Sequence, residues 1–475
     1  MSFTELTFVF ILIPLSVISA LALKCLKKEK IRNTVILVLS IGIFAYYSWA
    51  ALSFLCIFIV LTYLLGHLVY ESRKSDPKKI RWMVISVVSA VALLFYCKYI
   101  PALLNWWNGF DILHINYVKL VSIASISFVV FSAISYIVDI HRGDATPGSF
   151  IDAALFISFF PKFISGPIVL WKDFQKELQK KSYSIDKISY GISRIIIGYA
   201  KKLLIADTLG AHILLIQSNG AAGIDIRTAW LWAIAYFFQI YYDFSGYSDI
   251  AIGLSSIFGF DVKENFRFPY VSGSVTEFWR RWHVSLGTWF REYVYIPLGG
   301  NRTGNVYVNL FIVFLLTGIW HGANYTFILW GLAHGVIMLF ERAVKDKAWY
   351  KKIPFVVKWG FTVFFVLLAW VLFMSPNLKS ARAVYKGLFT LNKNSVNFTW
   401  KFFYTKKILL VLSIAAAGSV LGLVERKKGL KEKITEFLDR PYVIWAKYVF
   451  LLALFVVDIL FLVNSSYSPF IYMQF

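Results

Sequence analysis

The feature that most constrains the fold is the recurrence of apolar runs about 20 residues long along most of the 475-residue chain. The hydrocarbon core of a bilayer is about 30 Å thick, so a spanning helix needs roughly 20 apolar residues. The composition agrees, because 59% of the residues are hydrophobic and 16% are charged, whereas soluble domains contain roughly 45–50% apolar and about 25% charged residues. The pattern therefore predicts an all-α polytopic membrane protein.

Twelve segments are long and apolar enough to be predicted as spans, and together they form one series without an internal repeat or a long linker. They are Leu6–Leu23, Asn33–Ala50, Ala51–Tyr70, Trp82–Tyr99, Tyr117–Ile140, Ile151–Leu170, Ile226–Phe258, Asn305–Trp320, Asn324–Val344, Pro354–Met374, Ile408–Val424 and Tyr442–Val463. Phe160-Pro161-Lys162 and Ser165-Gly166-Pro167 interrupt the sixth, so a kinked or re-entrant element is expected there. We expect a single integral domain over residues 1–475.

The charge distribution predicts the orientation. The net charge is +23, and its Lys and Arg residues cluster after the first and third spans and before the tenth and last ones. Short loops rich in Lys and Arg face the cytoplasm, which places both termini, including the tail 464–475, on the extracytoplasmic side. The basic, partly amphipathic segment Lys172–Lys202 is predicted to lie on the inner surface against anionic lipid, the alternative being that it binds the donor. With the bases in such loops, no nucleic-acid partner is expected.

Three stretches carry polar residues among apolar ones, and the first is Tyr241–Asp249. Ionisable groups inside spans are costly and usually mark function. Asp243 and Asp249 are six residues apart, so one helix cannot pair their carboxylates. One interpretation is structural, with the aspartates pairing backbone groups of a segment unwound or kinked at Gly246. The other is a functional cavity that also includes Ser245.

The second stretch is Phe278–Arg291. As one continuous helix it would place Phe278, Trp282 and Trp289 on one side, and Arg280 and His283 on another. An aromatic stripe beside a cationic face is typical of a helix that anchors to the membrane surface. The alternative is that Arg280, Arg281 or His283 binds an anionic donor, such as a nucleotide phosphate.

The third stretch, Thr317–Tyr325, contains His321 between Gly318 and Gly322 at a break between two apolar helices. A neutral imidazole can take a proton from a hydroxyl nucleophile near neutral pH, as acyl transfer from a thioester requires. A packing role is the alternative for a lone histidine. His334, in a small-xxx-small spacing, is predicted to support close helix packing.

The chain contains no sequence motif for a serine nucleophile, a metal or a bound cofactor. There is no serine-nucleophile elbow, zinc-protease motif, phosphate-binding glycine loop or dinucleotide fingerprint. The three cysteines have no metal-ligand spacing, so we expect no metal and no permanently bound cofactor.

These stretches resemble the membrane-bound O-acyltransferase family, specifically the branch of the alginate O-acetyltransferase membrane subunit, which is related to peptidoglycan O-acetyltransferases and teichoic acid D-alanyl transfer proteins. The resemblance rests on Asp243–Asp249, on Phe278–Arg302 and on Trp320–Asn324, within a clear match over about residues 127–342. It implies a ring of about 11–12 transmembrane helices, with re-entrant or interfacial helices, around a central tunnel.

The resemblance also implies an activity and roles for individual residues. His321 matches the family's catalytic histidine, and His283 matches a second important one. The expected donor is cytoplasmic acetyl-CoA, and the expected acceptor is an extracytoplasmic polysaccharide or cell-wall glycan, reached with an SGNH-type partner in a bacterial cytoplasmic membrane. Asn324 is expected to assist His321. The residues expected to contact the donor are Trp279, Arg280, Arg281, Ser245 and Asp243.

The tail Pro469–Phe475 is similar to this branch's C-terminal motif. Our hypothesis is that Tyr472 accepts the acyl group as an ester and passes it to the partner, the alternative being an interfacial aromatic anchor. At the level of the whole chain, D-alanyl transfer from a carrier protein, a transporter or flippase, and a non-catalytic scaffold are the alternatives to acetyl transfer.

Overall fold

The computed structural model describes residues 3–26, 28–76, 78–108, 126–162, 166–180, 183–220, 225–322, 324–391, 400–426, 428–464 and 470–471. These residues form helices joined by short loops, without a β-strand among them. The predicted all-α polytopic class is therefore confirmed.

Eleven α-helices occupy the first half of the described chain. They are α1 (Ile13–Cys25), α2 (Glu29–Tyr47), α3 (Trp49–Ser75), α4 (Arg81–Lys98), α5 (Ile100–Asn108), α6 (Ile126–Arg142), α7 (Phe150–Ser158), α8 (Trp171–Lys180), α9 (Ile185–Ala200), α10 (Thr208–Ser218) and α11 (Ile226–Ile257). Short 3-10 or π-helical stretches adjoin them at Phe8–Leu12, Phe160–Lys162 and Lys201–Asp207.

Eleven more α-helices follow in the second half of the described chain. They are α12 (Val275–Arg281), α13 (Val284–Phe290), α14 (Val306–His321), α15 (Tyr325–Val344), α16 (Ala348–Lys352), α17 (Phe355–Met374), α18 (Leu378–Phe389), α19 (Trp400–Phe403), α20 (Lys406–Val420), α21 (Lys428–Leu438) and α22 (Pro441–Asn464). Their 3-10 or π-helical neighbours are Pro269–Val271, Arg291–Tyr295 and Leu421–Arg426.

Eight helical segments among the described residues are long and apolar enough to cross a bilayer. They are Phe8–Cys25, Glu29–Tyr47, Trp49–Ser75, Arg81–Lys98, Tyr325–Val344, Phe355–Met374, Lys406–Val424 and Pro441–Asn464. Each overlaps a predicted span, and Val306–His321 is a shorter apolar helix at another. Part of the predicted span Tyr117–Ile140 lies outside the described residues, and the ring of 11–12 helices around a tunnel stays a prediction.

The sixth predicted span is interrupted, as its sequence indicated. Helix α7 ends at Ser158, and a 3-10 turn over Phe160–Lys162 follows. The start of α7 is fixed by a capping box, in which Ser149 and Asp152 each bond the other's backbone N–H. Pro161 lies in this turn, and Gly166 and Pro167 follow it, so the helix ends before it reaches the length of a bilayer.

Helix α11 corrects the expectation of an unwound or kinked segment at Gly246. It is a continuous α-helix of 32 residues. A Cβ at Gly246 would lie 2.7 Å from the carbonyl oxygen of Gly198, so the missing side chain permits a close approach of two backbones. The glycine serves packing, and the helix continues through it.

The contacts within the chain divide it into two compact units. Among the described residues, unit 1 comprises those within 1–195 and 250–263, and unit 2 comprises those within 196–249 and 264–471. Trp171 and Phe174 are buried in the core of unit 1, while Trp282, Trp330 and Trp370 are buried in the core of unit 2. The single domain over residues 1–475 stays a prediction.

Lys202 corrects one part of the predicted inner-surface segment. Its side chain is 1% exposed and pairs with Asp207 at 2.7 Å and with Asp243 at 2.8 Å. An isolated buried ammonium is very costly, so a buried lysine is normally paired. The lysine at the end of the Lys172–Lys202 segment therefore belongs to the interior of unit 2, where no lipid headgroup reaches it.

Candidate functional site: two buried histidines in unit 2

The break that carries His321 is held by close helix packing. A Cβ at Gly318 of α14 would lie 2.6 Å from the carbonyl oxygen of Phe327, and one at Gly331 of α15 would lie 2.5 Å from that of Phe314. Both distances are shorter than a carbon–oxygen contact allows, so only glycine permits this approach. The two helices form a tight hairpin with His321 at the end of α14.

Asn324 fixes the start of α15. Its Oδ1 accepts a hydrogen bond from the backbone N–H of Thr326 at 3.2 Å, which is the geometry of a helix N-cap. Its Nδ2 donates to the carbonyl oxygen of Pro376 at 2.6 Å, just beyond α17. These contacts secure the turn that follows His321, and a direct contribution of the amide to chemistry stays a prediction.

His321 itself is 3% exposed and is surrounded by aromatic rings. The centroid of its ring lies 4.7 Å from that of Trp320, 4.9 Å from that of Phe373 and 5.1 Å from that of Trp330. The Phe373 and Trp330 rings stand nearly perpendicular to the imidazole. Such edge-to-face contacts restrict ring orientation, so the imidazole is held rigidly in a water-poor environment.

His283 lies on a second chain segment and is 1% exposed. Its backbone is left-handed, with φ 45° and ψ 52°, a conformation that is uncommon for a residue other than glycine and often occurs at functional sites. Asn265 Oδ1 lies 3.2 Å from its Nδ1 and also accepts from Ser285 Oγ at 2.9 Å. Asn265 Nδ2 in turn donates to Ser248 Oγ at 3.1 Å.

The surroundings of His283 favour a neutral imidazole. Burial lowers the pKa of His283 to about 3, because the low-dielectric interior disfavours its charged form. The ring packs edge-on against Phe244 at 4.7 Å. A neutral His283 cannot attract phosphate through its charge, so these contacts favour a hydrogen-bonding or orienting role over donor binding by charge.

Trp320 brings the two histidines into one neighbourhood. Its ring lies 4.7 Å from that of His321 and 6.5 Å from that of His283. The second and third polar stretches of the sequence therefore meet in unit 2 around a single indole.

The segment expected to be one interfacial helix is broken. Helix α12 ends at Arg281, α13 begins at Val284, and His283 occupies the turn. Phe278, Trp282 and Trp289 are at most 5% exposed. The aromatic stripe therefore packs inside unit 2, and its interpretation as a membrane-surface anchor was wrong because these rings bury their area against protein.

Helix α12 is aligned by contacts to α15. Both carboxylate oxygens of Glu341 accept hydrogen bonds from its first turn, at 2.6 Å from the N–H of Val275 and 2.8 Å from that of Thr276. Trp279 Nε1 donates to His334 Nδ1 at 3.1 Å. The hydrogen-bonding atom of Trp279 is thus engaged within the protein, and its predicted contact with the donor stays a prediction.

The two neighbouring arginines have different surroundings. Arg281 Nε pairs with Glu277 at 3.0 Å, and Arg426 pairs with the same carboxylate at 2.7 Å. Burial tends to raise the pKa of Glu277, but the hydrogen bond from Gly273 and the two guanidinium groups outweigh it and hold that pKa below its usual range. Arg280 is exposed and has no ion pair within the described residues. Arg280 is therefore the better-placed of the two for an external anion.

Asp243 and Ser245 lie on α11, where both are buried. Asp243 Oδ1 accepts from Lys202, and Oδ2 accepts from the backbone N–H of Ile471 at 2.9 Å. The carboxylate therefore binds the protein's own C-terminal segment. Ser245 Oγ has no hydrogen-bond partner in the described part of the chain. The predicted donor contacts of both stay predictions, and Tyr472 lies outside the described residues.

Sequence reasoning missed Asn265, Glu341 and Lys202. Asn265 is 18 residues from His283 in a loop without a motif, and Glu341 is 65 residues or more from the backbone it caps. Lys202 stood in a basic run that favoured a solvated position. For Lys202 the sequence did offer a signal, which was Asp243, because a carboxylate in an apolar run implies a buried cation nearby.

The sequence of the chain matches a family of known proteins. The model of MBOAT, the membrane-bound O-acyltransferase family, matches residues 142–380. The chain is 37% identical to a probable alginate O-acetylase of Pseudomonas putida over the whole of both proteins. It is 33% identical to a peptidoglycan O-acetyltransferase of Helicobacter pylori, over 81% of this chain and 79% of that protein. It is 30% identical to a teichoic acid D-alanyltransferase of Bacillus subtilis, over 62% of this chain and 77% of that protein.

The chain therefore belongs to the membrane-bound O-acyltransferase family. It is an O-acyltransferase, and the resemblance expected from its polar stretches is confirmed.

Proposed function

We propose that the protein moves an acetyl group from cytoplasmic acetyl-CoA across a bacterial cytoplasmic membrane for O-acetylation of an extracytoplasmic polysaccharide or cell-wall glycan. The observation that carries the proposal is His321, which stands at the end of an apolar helix, is held by aromatic rings and shares Trp320 with His283. Relatives named as alginate and peptidoglycan O-acetylating proteins support acetyl as the group and a glycan as the acceptor.

In the proposed chemistry His321 is the general base. Its imidazole takes the proton from an acceptor hydroxyl as that oxygen attacks the thioester carbonyl. The new C–O bond forms, the C–S bond breaks, and the CoA thiolate leaves and recovers the proton from the imidazolium. The enclosure by Trp330 and Phe373 excludes water, which would otherwise hydrolyse the thioester. His283, held by Asn265, orients a group in the same neighbourhood.

Arg280 is the proposed contact for the donor's phosphates. Its guanidinium is exposed, whereas Arg281 is already paired with Glu277. A guanidinium binds phosphate oxygens through paired N–H donors. The basic loops support a cytoplasmic donor side, with both termini on the opposite, extracytoplasmic side.

The acyl group leaves on the extracytoplasmic side in this scheme. A secreted SGNH-type partner completes the transfer to the glycan, with Tyr472 of the tail as the proposed intermediate acceptor. The tail's hydroxyl on the acceptor side motivates this step. Replacing Tyr472 with Phe removes only that hydroxyl, so a variant as active as the unaltered protein would refute the relay.

The test uses membranes that contain the full-length protein and radiolabelled acetyl-CoA. His321→Ala is expected to lower acetyl transfer by about 10²–10⁴-fold, the usual contribution of a general base. His67→Ala is the matched control, since this half-buried histidine lies in unit 1. Transfer that continues at the unaltered rate in a folded His321→Ala protein would overturn the proposal.

Transfer of D-alanine from a carrier protein is the second candidate, which the similarity to the Bacillus subtilis protein favours. The same membranes distinguish the two donors. If only labelled D-alanyl carrier protein transfers its label to the acceptor, that protein is the donor in place of acetyl-CoA. The proposed role of His321 as general base would be unchanged.

A further inference from the structure

The C-terminal segment of the chain docks inside unit 2. Phe470 is 1% exposed, and its ring lies 4.8 Å from that of Tyr247 in a nearly perpendicular arrangement. The Lys202 ammonium lies over the same ring at 4.5 Å. A phenylalanine between an aromatic edge and a cation gains both burial and cation–π attraction.

The backbone of this segment is bound as well. The N–H of Ile471 donates to Asp243 Oδ2 at 2.9 Å, and a hydrogen bond to a carboxylate is stronger than one between neutral groups. Asp243 Oδ1 accepts from Lys202 at 2.8 Å. One buried carboxylate therefore joins α11, the lysine and the end of the chain.

We propose that Asp243 and Lys202 form a latch that docks Phe470 and Ile471 and so sets the position from which the last residues of the chain extend. The proposal rests on the proposed function, because Ile471 precedes Tyr472, the proposed intermediate acceptor, in the sequence. Asp243 and Lys202 are positioning residues that act through the tail.

The carboxylate chemistry makes the latch specific. Both oxygens of Asp243 accept a hydrogen bond, one from Lys202 and one from Ile471. Asparagine replaces one of these two oxygens with an NH2 group, which is a donor, so either Lys202 or Ile471 loses the acceptor atom that it contacts here. Lys202 keeps Asp207 at 2.7 Å as its counter-ion, which allows Asp243→Asn to fold without an unpaired buried ammonium.

Asp207 provides the matched control. Asp207→Asn removes one of the two carboxylate charges that pair with Lys202, as Asp243→Asn does, but it leaves both oxygens of Asp243 in place. A latch predicts that the two variants differ at the tail. A general role of the charge cluster in stability predicts that they behave alike.

The readout is digestion of the full-length, detergent-solubilised protein by carboxypeptidase Y, followed by mass spectrometry of the trimmed chain. The unaltered protein and Asp207→Asn are expected to resist removal of Ile471 and Phe470. Asp243→Asn is expected to lose both residues roughly tenfold faster or more, the change in undocked population expected for one charge-assisted hydrogen bond. Phe470→Ala, which leaves every ion pair intact, is expected to be trimmed at the faster rate too.

The outcomes separate the latch from the proposed function. Equal trimming of Asp243→Asn, Phe470→Ala and the unaltered protein would overturn the latch, as would equally accelerated trimming of Asp207→Asn and Asp243→Asn. Faster trimming of Asp243→Asn and Phe470→Ala with acyl transfer absent from the unaltered protein would keep the latch and refute the proposed function. If the latch and the proposed function are both correct, Phe470→Ala lowers the rate of acyl transfer while the melting temperature changes little.

Discussion

Gly331 offers a direct test of how closely α14 and α15 must pack to place His321. A Cβ added there would lie 2.5 Å from the carbonyl oxygen of Phe314, and also 3.1 Å from the backbone of Gly318. Backbone carbon–oxygen contacts are ordinarily about 3.3–3.6 Å. The helices would therefore have to separate by roughly 1 Å, and neither neighbour is a flexible side chain that could rotate away.

The expected cost has a structural and a functional part. Overpacking of this kind destabilises a protein by about 1–3 kcal/mol. Because His321 ends α14, the same displacement moves its imidazole relative to Trp330, which lies on α15. Misplacement of a catalytic group by about 1 Å can lower a rate by roughly 10²-fold. Gly331→Ala is therefore expected to reduce acyl transfer by one to two orders of magnitude and to lower the melting temperature.

Two other glycines of unit 2 provide graded controls. A Cβ at Gly335 would meet the Phe314 side chain at 3.1 Å, while one at Gly360 of α17 would meet nothing within 4 Å. We expect Gly335→Ala to have an intermediate effect. Gly360→Ala is expected to be neutral or slightly stabilising, since alanine favours helix over glycine by about 1 kcal/mol.

The assay compares the three purified variants by thermal unfolding in detergent and by acyl transfer in membranes. The losses of melting temperature and of acyl transfer should both be largest for Gly331→Ala, smaller for Gly335→Ala and absent for Gly360→Ala. A Gly331→Ala protein that melts and transfers like Gly360→Ala would refute the claim that this hairpin requires backbone contact.

Three further predictions concern the histidines and arginines. The folded-state pKa of His283, about 3, lies below the unperturbed value of about 6.5, so its contribution to stability is complete above pH 6.5 and falls by about 1.4 kcal/mol per pH unit below it. His283→Asn, which tolerates the left-handed backbone, should flatten the loss of melting temperature between pH 6.5 and 5, and an unchanged slope would contradict the neutral state. Trp279→Phe removes the hydrogen bond to His334 at 3.1 Å and should cost about 1 kcal/mol by thermal unfolding, compared with Trp445→Phe on the exposed face of α22. Arg280→Gln should raise KM for the acyl donor with little change in melting temperature, whereas Arg281→Gln should mainly lower the melting temperature; equal KM effects would refute the distinction.

The fold class followed from the sequence because spanning helices need little beyond length and apolarity. Segments such as Trp49–Ser75 and Pro441–Asn464 were predicted within a few residues, since the bilayer thickness sets their length. The break after Ser158 was also predictable, because proline and glycine end helices locally. Local chemistry was sufficient in both cases.

The site was harder to predict because its contacts join distant parts of the chain. The break at His283 has no glycine or proline to indicate it, and the left-handed conformation is imposed by tertiary contacts such as those of Asn265. For the same reason one of the two interpretations of this stretch placed the rings of Phe278 and Trp282, which are buried, in a stripe that faces the membrane surface. Hydrophobic periodicity identifies an apolar face, but it does not distinguish lipid from protein as its partner.

Helix α15 unites these observations. Trp330, His334 and Glu341 are separated by four and seven residues, so they share one face of the helix. Trp330 packs against His321, His334 accepts from Trp279, and Glu341 caps α12. Helix α15 therefore positions both the histidine at the end of α14 and the segment that leads to His283. His334 acts in this arrangement as an alignment contact, and the requirement for glycine at Gly331 follows, because a helix that aligns two others must approach its neighbour at a fixed distance.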